Sequence, residues 1–128
     1  MKIGILTRNE NAWHSATLNK ALAEKKAEPV CFGFSDLAAR VAAHPTVSLR
    51  GMDLGRELGA IIVRPVGRGS VDEVIFRLDV LHRLDRLDLP VINHPSSIEK
   101  AVDKYYALTL LEENGIKVPR TVITENLI

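Results

Sequence analysis

At 128 residues, 46% hydrophobic and 26% charged, the chain has the size and composition of one folded domain with a buried core. A formal net charge of +1 gives no electrostatic case for a nucleic-acid partner. The single cysteine, Cys31, excludes an intrachain disulfide and fits a reducing, cytoplasmic setting. No apolar run approaches the roughly 18–20 residues needed to span a bilayer, so no membrane partner is expected.

The chain opens on Met1-Lys2-Ile3-Gly4-Ile5-Leu6, which lacks the regions of a signal peptide and reads as a first strand to Thr7. Polar Arg8 to Asn11 follow as a loop. Apolar Trp13, Ala16, Leu18, Leu22 and Ala23 then predict a helix over 12–26, with Trp13 as a packing residue. Pro29 starts a second strand, 30–34. Ser35-Asp36 resembles a helix cap and predicts a short helix over 37–43, stopped by His44-Pro45. Residues 46–54 alternate around Arg50-Gly51, as in a small hairpin or loop excursion.

The run 60–63 is compact and apolar, as expected of a strand buried on both faces of a parallel sheet. Beyond Gly67-Arg68-Gly69, Ser70 and Glu73 form a capping-box pattern. The helix it starts carries Val71, Val74, Ile75, Leu78, Leu81 and Leu84 on one stripe, with Glu73/Arg77 and Asp79/Arg83 as exposed pairs. Pro90 opens a short strand, 91–93. Ser96 and Glu99 repeat the cap pattern before a last helix that Gly115 closes, and 118–124 reads as another strand. Alternating strands and helices predict an α/β fold with a parallel sheet and right-handed crossovers.

Open α/β sheets bind ligands beyond the carboxyl ends of their strands. That rule selects Thr7-Arg8, Ser35, Arg64 and Asn93-His94. Two arginines at such an edge suit a carboxylate or phosphate, because guanidinium clamps either with paired hydrogen bonds. Arg64, between an apolar strand and Pro65, needs a partner more than the others do. Asp103-Lys104 is the next candidate, with Asp103 bracing the preceding loop and Lys104 free to meet a phosphate. The glycines at 67–69 lack both a dinucleotide fingerprint and a Walker lysine. The four histidines lack metal spacing, and Tyr105-Tyr106, like Trp13, reads as packing. No catalytic residue and no metal ligand is nominated.

Ile62-Val63-Arg64-Pro65-Val66-Gly67, Phe76 to Leu81, Pro90 to Asn93 and Ile98 to Lys104 together resemble the ATP-grasp ligases of the RimK-like branch. So do Gly115-Ile116, Val118-Pro119 and Thr121 to Asn126. That branch includes ribosomal-protein and tetrahydromethanopterin glutamate ligases. The resemblance implies a pre-ATP-grasp domain over 1–95, with helices on both faces of its sheet, and a lead-in to a central ATP-grasp domain over 96–128. It implies an enzyme that uses ATP and Mg2+ to activate a carboxylate as an acyl phosphate, which an amino acid, glutamate by family habit, attacks to form an amide. It places Lys104 near the nucleotide phosphates and Arg64 on the substrate, where the strand-end rule adds Arg8 and Asn93 as further substrate-binding candidates. It also puts the magnesium carboxylates and most ATP contacts beyond residue 128, so these residues alone are expected to be inert. A homo-oligomer is compatible with this reading. The alternative is a non-catalytic small-molecule-binding or dimerisation module on the same fold.

Overall fold

The computed structural model describes residues 1–126. They cluster into two compact units, one of Met1–Pro95 and one that begins at Ser96.

The first unit is built on a four-stranded sheet of β1 (Lys2–Leu6), β2 (Glu28–Phe32), β6 (Leu58–Val63) and β7 (Val91–Ile92). The strand order is β2-β1-β6-β7 and every pairing is parallel. Ile3, Ile5 and Leu6 on β1 and Ile61 and Val63 on β6 are all buried, as central parallel strands require. Gly4 is packed so closely that an added Cβ would lie 2.9 Å from Leu58 Cδ1 and 3.0 Å from Phe32 Cε1. A larger residue there would require the Leu58 and Phe32 side chains to shift.

Helix α1 (Trp13–Glu24) connects β1 to β2, and α3 (Val71–Arg86) connects β6 to β7. The two crossovers run in opposite directions along the sheet, so right-handedness puts α1 and α3 on opposite faces. Leu78, Leu81 and Leu84 carry the buried side of α3, as its stripe predicts, but Val71 and Ile75 are exposed. Ser70 caps α3 by accepting from the Glu73 amide at 3.2 Å, the hydroxyl half of the predicted capping box. Of the two predicted charge pairs, Glu73–Arg77 forms at 3.0 Å. Among the described residues Asp79 and Arg83 do not pair.

Between β2 and β6 the chain makes a second, antiparallel sheet of β3 (Leu37–Ala39), β4 (Val47–Leu49) and β5 (Met52–Asp53), followed by a single turn of helix α2 (Leu54–Glu57). The predicted hairpin is there, turning through Arg50 (φ 48) and Gly51 (φ 87). The predicted 37–43 helix is not. Asp36 ends a 3-10 turn, Phe34–Asp36, instead of capping a helix. Its Oδ2 accepts from the Gly33 amide at 3.0 Å and its Oδ1 meets Arg50 at 3.2 Å. That clamp ties the chain to the hairpin, and the next three residues pair with β4. Tertiary pairing here overrides the helical preference of Ala38 and Ala39.

The second unit contains α4 (Pro95–Val102, which begins on the last residue of the first unit) and α5 (Lys104–Glu113). The sequence predicts one continuous helix here. The chain instead breaks at Asp103, which adopts an extended conformation and accepts from the Tyr106 amide at 3.0 Å as the N-cap of α5. Gly115 (φ 74) closes α5 as predicted. Residues 118–124 form no strand. Trp13, Tyr105 and Tyr106 are exposed and not the packing residues expected. No helix among the described residues is long and apolar enough to cross a membrane.

Candidate functional site

Strands β1 and β6 are neighbours, yet the chain leaves β1 toward β2 and leaves β6 toward β7. This reversal is a topological switch point, and the crevice beyond such a point is where open α/β sheets receive ligands. Arg8 and Arg64 stand at its two lips. Arg64 follows β6 directly, and its amide donates to Leu6 O at 2.8 Å, which extends the β1–β6 pairing to the last residue. Its side chain is half-buried, and Nε is fully buried without a hydrogen-bond partner. A buried guanidinium donor left unsatisfied carries a desolvation penalty that an acceptor at this edge would remove.

The loop after β1 is built to hold Arg8 in place. Thr7 is buried and its Oγ1 lies 2.7 Å from Ser15 Oγ, a buried polar contact from strand end to α1. The Asn9 side chain accepts from the Asn11 amide at 3.0 Å, tightening the turn. The Arg8 side chain then lies across Gly67. A Cβ at that position would be 2.7 Å from Arg8 Cδ, and the φ of 84° is itself open mainly to glycine. Gly67 therefore permits both the sharp exit from β6 and the passage of Arg8 over it.

Arg77 organises the same loop from the α3 side. Its Nη1 donates to Val66 O at 3.1 Å and Arg68 O at 3.0 Å, and its Nη2 meets Glu73 at 3.0 Å. The guanidinium also sits 5.8 Å from the centre of the Phe34 ring, which belongs to the turn after β2. One side chain thus joins α3, the β6 exit loop and the β2 exit turn. Arg8, Phe34, Ser35, Val66 and Arg77 line a shared depression of about 180 Å3.

A second cleft, about 190 Å3, opens on the β2 side and is lined by Arg8, Glu10, Cys31, Asp36 and Arg50 among others. The Gly33 amide, and then Arg50, hold the Asp36 carboxyl below its ordinary pKa, so it stays an anion and keeps the clamp closed. Burial, and then the charge of Glu10, push the Cys31 thiol up, so it is not a poised nucleophile.

Of the residues selected by sequence, Arg8 and Arg64 follow the adjacent strands β1 and β6, and Arg8 but not Arg64 lines the two depressions. Asn93 is exposed just after β7, on the other side of β6. His94 beside it pairs with Asp85 at 3.3 Å. Lys104 lies in the second unit, exposed, as the first residue of α5. Sequence reasoning missed Ser15, Arg77 and the Asp36–Arg50 clamp. Ser15 had a visible signal: it occupies the Leu18/Leu22 stripe of α1, where a polar residue needs a buried partner.

A family model described as the RimK PreATP-grasp domain matches residues 1–98. The tetrahydromethanopterin:alpha-L-glutamate ligase of Methanosarcina acetivorans is 32% identical over 130 residues, covering 98% of this chain and 40% of that protein. A probable alpha-L-glutamate ligase of Photobacterium profundum is 29% identical, over 94% of this chain and 39% of its own length. The chain therefore spans about 40% of the length of these relatives. A solved RimK-domain ATP-grasp protein of Sphaerobacter thermophilus shares the fold with a TM-score of 0.69 at 20% identity, over 94% of this chain and 40% of that one.

Proposed function

This chain belongs to the RimK pre-ATP-grasp domain family, and from that premise we propose that it forms the substrate-side domain of an ATP-dependent carboxylate–amine ligase. The observation that carries the reading is the β1/β6 switch point, with Arg8 at one lip and the buried, unpartnered Nε of Arg64 at the other. Two guanidinium groups there fit a carboxylate, either that of the acyl substrate or of the incoming amino acid. Asn93, one strand further along, adds an amide that can donate and accept. Glutamate is the amino acid favoured, because the relatives are glutamate ligases by name.

The reaction class is activation of a carboxylate as an acyl phosphate at the expense of ATP, then attack by an amine to release phosphate and leave an amide. The residues present do not compose the nucleotide site for it. Among the described residues no three His, Cys, Asp or Glu side chains are grouped to hold a metal ion. Lys104 is a lone exposed cation, suited to approach a phosphate but unable to enclose one. ATP and Mg2+ would be held by the rest of the ligase, and no phosphoryl-transfer step is assigned to this chain.

The second unit fits a lead-in to that remainder. Among its described residues no large hydrophobic side chain is buried, while Tyr105, Leu111, Ile116, Val122 and Ile123 are 40–82% exposed, an apolar surface suited to packing under further chain. A cytoplasmic setting, where ATP and reduced Cys31 coexist, belongs to the same reading.

The test is ADP release by the full-length ligase with glutamate and a carboxylate acceptor. Arg64→Ala is expected to raise the KM of one carboxylate substrate by about tenfold to a hundredfold, the worth of a charge-assisted contact. Lys104→Ala is expected to raise the KM for ATP instead. Unchanged kinetics in both variants would overturn these assignments. Micromolar ATP binding by residues 1–128 alone would overturn the division of labour.

A further inference from the structure

On the outward side of α3, opposite Leu78, Leu81 and Leu84, stand Phe76, Asp79, Arg83 and Arg86. The spacings of three, four and three residues set them in one stripe. Phe76 is 43% exposed. The stripe borders a groove of about 530 Å3 that also takes in Arg40, whose guanidinium donates to Pro45 O and Ser48 Oγ, Val41, which is 96% exposed, and Ala42 of the β3–β4 connection. An apolar pair this open, beside charges that stay unpaired at close range, is unlike an ordinary solvated helix face. Asp79 and Arg83 are correctly spaced for an intrahelical pair, yet among the described residues they do not make one.

The order of the stripe says what would cover it. Read toward the C-terminus it runs aromatic, acid, base, base. Read from its midpoint, Asp79 and Arg83 are equidistant, and so are Phe76 and Arg86. An antiparallel copy of the same helix, related by a two-fold axis through that midpoint, therefore sets each Asp79 against Arg83 of the other copy. It also sets each Phe76 ring against an Arg86 guanidinium. Every match occurs twice, as an isologous contact demands. Ion pairs and cation–π contacts of this kind fix register. A nucleic acid or an anionic membrane would call for charge of one sign, and Asp79 at the centre opposes both.

We propose that this face of α3 is a homodimer interface, with a second copy of this chain docked antiparallel in the Asp79–Arg83 register. The inference does not depend on the ligase reading, because no residue of the arginine edge takes part in it.

Sedimentation equilibrium on the chain tests it. Wild type is expected to be a reversible dimer at tens of micromolar. Asp79→Arg and Arg83→Asp, each alone, place like charges opposite each other and are expected to weaken self-association at least about tenfold. The first variant carries only positive side chains at the two positions and the second only negative ones. Mixed one to one, they oppose unlike charges at both contacts, so a heterodimer of near wild-type affinity should form. That rescue requires both variants to be folded and the pairing to be between chains. A monomeric wild type, single variants that dimerise as well as wild type, or a mixture that stays monomeric would each overturn the proposal.

Discussion

Arg77 is the residue on which the candidate site depends most and the one the sequence disguised best. Four residues beyond Glu73, it looked like half of an exposed helix pair, and that pair does exist at 3.0 Å. Yet its side chain is only 17% exposed, and its other hydrogen bonds go to three carbonyls nine to eleven residues upstream. Spacing rules reach three or four residues along a helix and cannot see a loop folding back over its own helix. Arg64 was legible for the opposite reason. A guanidinium placed directly after an apolar strand is conspicuous whatever surrounds it, although its orphaned Nε became visible only in three dimensions. Arg77→Lys keeps the charge but has no planar fork to reach Val66, Arg68 and Glu73 together. The variant should lose about 2 kcal/mol of stability in a urea titration, in line with hydrogen bonds made by charged groups. A loss within about 0.5 kcal/mol, the scatter of ordinary surface substitutions, would show that the loop holds itself.

At the scale of elements, the parallel strands and long helices were readable because their apolar patterns are continuous. The four main strands and α3 lie where those patterns placed them. Two of the misreadings fall where a single polar side chain decides between two local structures. Asp36 turned an expected helix cap into a strand entry through the Gly33 amide and Arg50, and Arg50 is fourteen residues away. Asp103 turned one expected helix into two. Its carboxylate accepts from the amide three residues on, and an extended residue at that point makes a better N-cap than a helix interior. Asp103→Ala should therefore remove about 1 kcal/mol of capping stabilisation and let the first turn of α5 fray. By hydrogen exchange, the Tyr106 amide should exchange about fivefold faster, the factor that 1 kcal/mol represents. Asp103→Asn, which still offers an acceptor, should stay close to wild type. Equal exchange in the alanine variant would mean that the break at Asp103 is held by something other than its cap.

For the molecule as a whole, burial is concentrated in the first unit. Among the described residues every buried hydrophobic side chain, from Ile3 to Val91, lies in the unit that ends at Pro95. Ile5, Leu54, Ile61, Leu81 and Leu84 are fully buried within it, drawn from both central strands, α2 and α3. The second unit contains α4 and α5, and among its described residues the large apolar side chains remain half-exposed or exposed. Helices as short as α4 and α5, eight and ten residues, are marginal in water without a packed face. A chain ending at Pro95 should then keep the cooperative unfolding transition of the 128-residue chain, with Tm within about 5 °C, the shift that roughly 1 kcal/mol makes in a domain of this size. A peptide of residues 96–128 should show weak helicity that declines gradually with temperature. The paired measurement is circular dichroism melting of the two pieces against the whole. If removal of the second unit abolished cooperative unfolding of the first, the core read from these residues would be incomplete, and the two units would form one cooperative domain.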